Sequence, residues 1–163
     1  MAEGDAWSEA KRLELTLRRI RFRQTPSLQE ESYSKYSREL AESLDRLVPE
    51  LNGLLAGLCR IKSEPNGIEI LQEKDDASTS IGSLRINYQP PRHVSFQYLD
   101  KGGQRAEEAF FLDPAGADYC LFYNTPGHQG FTTDELASHV MSKELQIVDQ
   151  SIQHQLRQRA GMG

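Results

Sequence analysis

Short segments in which apolar and polar residues alternate fill the middle of this chain. Leu84, Ile86 and Tyr88 alternate with Arg85, Asn87 and Gln89, while Val94, Phe96 and Tyr98 alternate with His93, Ser95 and Gln97. Successive side chains of a strand point to opposite faces, so each segment offers one apolar and one wet face. Turn residues separate the segments: Pro65-Asn66-Gly67, Pro90-Pro91, Lys101-Gly102-Gly103-Gln104 and Asp113-Pro114-Ala115-Gly116. Asn-Gly tolerates the positive φ of a tight hairpin, and proline interrupts a strand ladder. The spacing predicts an antiparallel meander of five or six strands within residues 59–123, with Lys74–Ser80 as a polar loop.

Before and after the meander the period changes to that of a helix. Trp7, Ala10, Leu13, Leu17 and Ile20 recur at three- and four-residue spacing, which predicts a first helix from Asp5 or Ala6 to Phe22 with one apolar stripe. The Gln24-Thr25-Pro26 break ends it, and Ser27 with Glu30 matches a capping box for a second helix. That helix carries Tyr33, Tyr36, Leu40, Leu44, Leu47, Leu51, Leu54 and Leu58, with a kink or break expected at Val48, before Pro49. The short connection makes residues 1–58 a helical hairpin. The last helix, 132–156, opens with a Thr132/Glu135 capping box and a Phe131/Leu136 staple, and 157–163 is expected to be a flexible tail.

The alternation fades toward the end of the meander. Ala109-Phe110-Phe111-Leu112 and Tyr119-Cys120-Leu121-Phe122-Tyr123 are apolar at both parities, as suits strands covered on both sides. One face belongs to the helices of the same chain. The second calls for the remaining helix, another copy of the chain, or a protein partner, and this makes Phe110, Phe111, Phe122, Tyr119 and Tyr123 candidate contact residues.

Composition narrows the chemistry. The 163 residues fit one α+β domain, with no apolar run near the roughly 20 residues of a membrane span. The first residues lack the pattern of a secretory signal, and a cytoplasmic setting is expected. Cys59 and Cys120 stand among apolar neighbours and read as buried thiols. A net charge of -5 argues against a general nucleic-acid binder, yet residues 10–24 hold six basic side chains against Glu14 alone. Arg18, Arg19, Arg21 and Arg23 are therefore candidates for contacting an acidic protein or, less in keeping with the overall charge, nucleic-acid phosphates.

Signatures of catalysis are sparse. His93, His128, His139 and His154 fall in different elements or, for the last two, roughly 22 Å apart on one helix, and no metal or cofactor is expected. The Gly-rich loop of Asn124, Thr125, Gly127 and His128 runs into a helix N-terminus, where free N–H groups suit an anion or small ligand. It lacks a P-loop's lysine, and Glu135 opposes an anion there. The leading expectation is a non-catalytic protein-binding module of adaptor or chaperone-like type. It would act through the 109–123 surface or the basic first helix. The alternatives are a nucleic-acid-associated protein using that helix and a ligand binder or enzyme using the 124–131 loop.

Overall fold

The computed structural model describes residues 2–74, 77–124 and 129–162. Two helices come first, α1 (Ala2–Gln24) and α2 (Pro26–Leu54), joined through Thr25. Seven strands follow: β1 (Cys59–Glu64), β2 (Gly67–Lys74), β3 (Ala77–Gln89), β4 (His93–Asp100), β5 (Gly103–Pro114), β6 (Cys120–Asn124) and β7 (Gly130–Phe131). Helix α3 (Thr133–Met162) closes the chain. The strands pair antiparallel with their neighbours in sequence, in the order β1 to β7. This is the α+β meander the alternation predicts, with seven strands rather than five or six. Of the expected loop at 74–80, Lys74 and residues 77–80 are strand and residues 75–76 lie outside the described residues, while the short β7 joins through Phe122 opposite Phe131.

One sheet face carries the core. Register sets Ile68 beside Leu84, Leu84 beside Tyr98, Ile86 beside Phe96, Val94 beside Phe110, and Leu112 beside Phe122. All of these are buried in one cluster with Leu40 and Leu44 of α2 and Leu136, Val140, Met141 and Val148 of α3. Helix α3 crosses this face against β3, β4, β6 and β7, while α2 lies along α3 and reaches β1. Burying side chains of this size contributes about 1.5–3 kcal/mol each, which is why the parity of the strands is so strongly enforced.

Local devices set the ends of these elements. Thr132 N donates to Glu135 Oε1 and Glu135 N donates to Thr132 Oγ1, both at 3.2 Å, so the predicted capping box of α3 forms, with Phe131 and Leu136 buried beside it. The Ser27/Glu30 box does not: Pro26 opens α2 and Thr25 takes the cap position without a side-chain capping bond, its Oγ1 donating back to Arg21 O at 2.7 Å. Proline at the first helical position has no N–H to satisfy, so the cap moves two residues earlier, from Ser27 to Thr25. Helix α2 also continues through Pro49 to Leu54. Its far end is held by Asn52, whose Nδ2 donates to Ile61 O at 2.9 Å and whose Oδ1 accepts from Ile61 N at 2.6 Å. That pair satisfies the backbone of Ile61 on the open side of edge strand β1. Cys59 and Cys120 are partly rather than fully buried.

Two glycines carry geometric demands. Gly67 has φ +147, and a Cβ there would strike the Leu84 carbonyl across the β2–β3 pair. Gly82 lets α3 approach, since a Cβ would press on Val148 and the Leu99 carbonyl. Beside Gly82 sits Glu144, fully buried, accepting from Leu99 N at 2.9 Å through Oε1. Its Oε2 has no hydrogen-bond partner among the described residues. Burial pushes this carboxyl up to about 8, aided by the charge of Asp100 and opposed by the Leu99 N–H.

An acid raised in the folded state favours folding fully below its unfolded value of 4.5, and that contribution is lost as pH climbs toward about 8. Glu144→Gln keeps the Leu99 bond without the charge. The variant should flatten the stability-versus-pH curve across that window and gain about 3–6 °C in Tm at pH 8, on the order of 1–2 kcal/mol. Thermal unfolding followed by circular dichroism at pH 5 and pH 8 checks this; parallel curves for the two proteins would refute it.

Candidate interaction site at the first helix

Helix α1 packs against β5 and α2 on the side where Leu15, Arg18, Arg19 and Phe22 recur at helical spacing. Phe22 enters the core. The three arginines that touch the sheet end each bond to oxygen acceptors there. Arg18 donates to Glu14 Oε1 at 2.9 Å and to Ala117 O at 3.3 Å. Arg19 donates to Pro114 O at 3.0 Å and to the Tyr123 hydroxyl at 2.8 Å. Arg23 reaches both carboxylate oxygens of Asp113.

Asp113 is the centre of this arrangement. Its side chain is 2% exposed, and Arg92, from the turn between β3 and β4, donates to its Oδ1 at 3.1 Å. Arg92 also donates to Leu112 O at 3.1 Å. Phe111 and Tyr123 lie opposite each other in register and face away from α3, their rings stacked at 5.8 Å. Arg92 covers the Phe111 ring and Arg19 covers the Tyr123 ring, each at 5.0 Å. Guanidinium groups stacked on aromatic faces recover attraction from the ring while their N–H groups still bond to oxygen.

This accounts for the strands without a wet face. Phe110 and Phe122 belong to the inner face and are fully buried among core residues. Phe111 and Tyr123 belong to the outer face, and α1 with Arg92 lies over them. Tyr119 is exposed in the β5–β6 connection. Asn124 ends β6, its N–H donating to Gln129 O at 3.0 Å. Thr125, Gly127 and His128 lie outside the described residues.

The apolar stripe of α1 is its outer side. Trp7 is 66% exposed, Leu13 60%, Leu17 57% and Ile20 44%, and Ala6 and Ala10 are also exposed. The physical reason is that the sheet end presents carbonyls, a hydroxyl and a buried carboxylate, which arginine satisfies and leucine does not. Helix α1 is therefore docked through its polar side and shows its apolar side to solvent.

Between α1, α2 and the β5–β6 connection is an open cleft of about 490 Å³, lined by Arg18, Arg21, Lys35, Tyr36, Tyr119 and Cys120 among others. Tyr36 accepts the Cys120 N–H at 2.9 Å. Burial pushes the Cys120 thiol up, with Ser32 opposing and Asp113 adding to the effect. A thiol so placed stays protonated at neutral pH and is a weak nucleophile.

A second polar cluster sits under α3. Glu108 accepts from the Tyr98 hydroxyl at 2.7 Å and lies 3.0 Å from His139 Nε2 and 3.3 Å from Lys143 Nζ. Burial works against its charge, yet the Tyr98 bond and the His139 and Lys143 groups outweigh it and hold the carboxyl below its ordinary range. With its oxygens committed to groups from β4 and α3, Glu108 fastens the helix to the sheet. The signal for it in the sequence is a charge at an inward parity, between Ala106 and Phe110. Asp113 gives a similar signal, a lone acid within an apolar run.

Comparison with protein-family models, curated proteins and solved structures yields no match for this chain. No described helix is long and apolar enough to cross a membrane.

Asp113→Asn weakens the charged bonds from Arg23 and Arg92 at a buried site, where such bonds contribute about 1.5–3 kcal/mol each. The variant should lose on the order of 2 kcal/mol of stability, and trypsin should cut at the arginines of α1 well before the rest of the chain unfolds. An unchanged Tm together with unchanged cleavage within α1 would show that Asp113 does not hold the helix.

Proposed function

We propose that this chain is a non-catalytic protein-binding module that uses α1 as its contact element. The observation that carries this reading is the inverted docking of α1, arginines inward and Trp7, Leu13, Leu17 and Ile20 outward. A helix held by specific polar bonds has its backbone ordered before contact, so binding costs less conformational entropy. An apolar side on a fixed helix matches the helix-to-helix or helix-in-groove mode of protein recognition, read through anchors at three- and four-residue spacing. The same docking argues against phosphate binding as the main role, because Arg18, Arg19 and Arg23 already bond within the chain.

Leu13→Asp with Leu17→Asp tests the reading, since both positions face solvent and their replacement leaves the docking bonds in place. The expected result is unchanged helicity by circular dichroism, with about tenfold or greater loss of protein association. Association is read as the light-scattering mass of the purified chain and as the proteins retained from an extract of its native source. If the variant matches the parent chain in both measurements, α1 is not the contact element.

A further inference from the structure

We infer that the outward stripe of α1 seats a second copy of this chain, the two α1 helices packing antiparallel across a two-fold axis. The inference rests on the protein-binding role of α1 and names its partner. The stripe is a heptad seam: Ala6, Ala10, Leu13, Leu17, Ile20 and Gln24 follow one another at alternating steps of four and three residues. The described positions at its centre, Leu13, Leu17 and Ile20, are all exposed. Buried and half-buried Leu15, Arg18, Arg19 and Phe22 fall on the opposite side of the helix, so the seam points directly away from the body of the domain.

Charge selects the orientation. Exposed Glu9 lies toward the start of α1, and exposed Arg21 and Arg23 lie at its end. Parallel packing would set the arginine ends side by side. Antiparallel packing lays the acidic start of each helix along the basic end of the other, a complementarity that only a second α1 supplies in both directions at once. The seam sizes agree with this orientation. With the two-fold axis midway between Leu13 and Leu17, each Leu13 meets Leu17 of the second copy and each Ala10 meets its Ile20, small against large. Flanking the seam, Glu9 comes alongside Arg23 of the second copy, whose side chain stays 47% exposed while it bonds Asp113, and Trp7 alongside its Arg21, a cation over an aromatic face. A two-fold contact of this kind is self-complementary and closes at the dimer.

The test uses the full chain. Sedimentation and light scattering should give twice the chain mass, falling to the single-chain mass for Leu13→Asp with Leu17→Asp and, at elevated salt, shifting toward it for the parent. In a Cys59→Ala/Cys120→Ala background of unchanged circular dichroism, Leu13→Cys mixed with Leu17→Cys should oxidise to a disulfide-linked dimer, and neither alone should. A single-chain mass at every concentration would overturn the inference. So would an oligomer indifferent to the aspartate pair, or disulfides formed by each cysteine variant alone, which mark parallel packing. A single-chain mass combined with loss of extract proteins from the aspartate variant would leave α1 as a binding element for another protein and remove the second copy.

Discussion

The buried carboxylate of Asp113 is the constraint around which this molecule is arranged. It sits near the end of β5, 2% exposed, and a charge there is tolerated only with cationic partners at hydrogen-bond distance. Two arrive from different parts of the chain: Arg92 from the turn before β4, and Arg23 from α1. The first ties the β3–β4 turn to β5. The second decides which side of α1 meets the sheet. Once Arg23 is committed, Arg19 falls over Tyr123, Arg18 reaches the β5–β6 connection, and Phe22 enters the core, because these positions share one side of a helix. The apolar stripe of α1 is then directed outward.

Two further acids, fully buried Glu144 and half-buried Glu108, lie beneath α3. Glu108 draws Tyr98, His139 and Lys143 together and so locks the helix across the sheet. Glu144 receives a single backbone N–H and lacks a cationic partner among its hydrogen bonds, so burial raises its affinity for a proton. The two differ in partners and in depth, Glu144 being fully buried and Glu108 half-buried. Both acids sit between α3 and the sheet, and the one with three donors is held charged while the one with a single donor is driven toward neutrality.

Alternation fading at residues 109–123 directed attention to an apolar sheet face. In the structure that face is divided, with Phe110 and Phe122 inside the core and Phe111 and Tyr123 beneath α1 and Arg92. The helix covering the outer face is the element with apolar surface left over. A partner of α1 would therefore also brace the helix against β5, linking assembly to the integrity of the Asp113 site.

What the residue pattern determined by itself was the local layer: strand parity, the Asn66-Gly67 hairpin, the α3 capping box and the existence of an amphipathic first helix. These follow from interactions within a few residues, where period and turn chemistry leave few alternatives. Tertiary structure alone decided which side of α1 turns inward. The stripe of Leu13, Leu17 and Ile20 is the better hydrophobic surface, and periodicity assigns it to the core. Packing chose the arginine side because the β5–β6 end offers a buried carboxylate, carbonyls and a hydroxyl. Those acceptors come from Asp113, Pro114, Ala117 and Tyr123, some ninety to a hundred residues beyond the arginines they bind. Spacing along α1 holds no trace of partners so distant in sequence, and turning the helix over would strip the buried carboxylate of one of its two cations together with the Arg18 and Arg19 bonds.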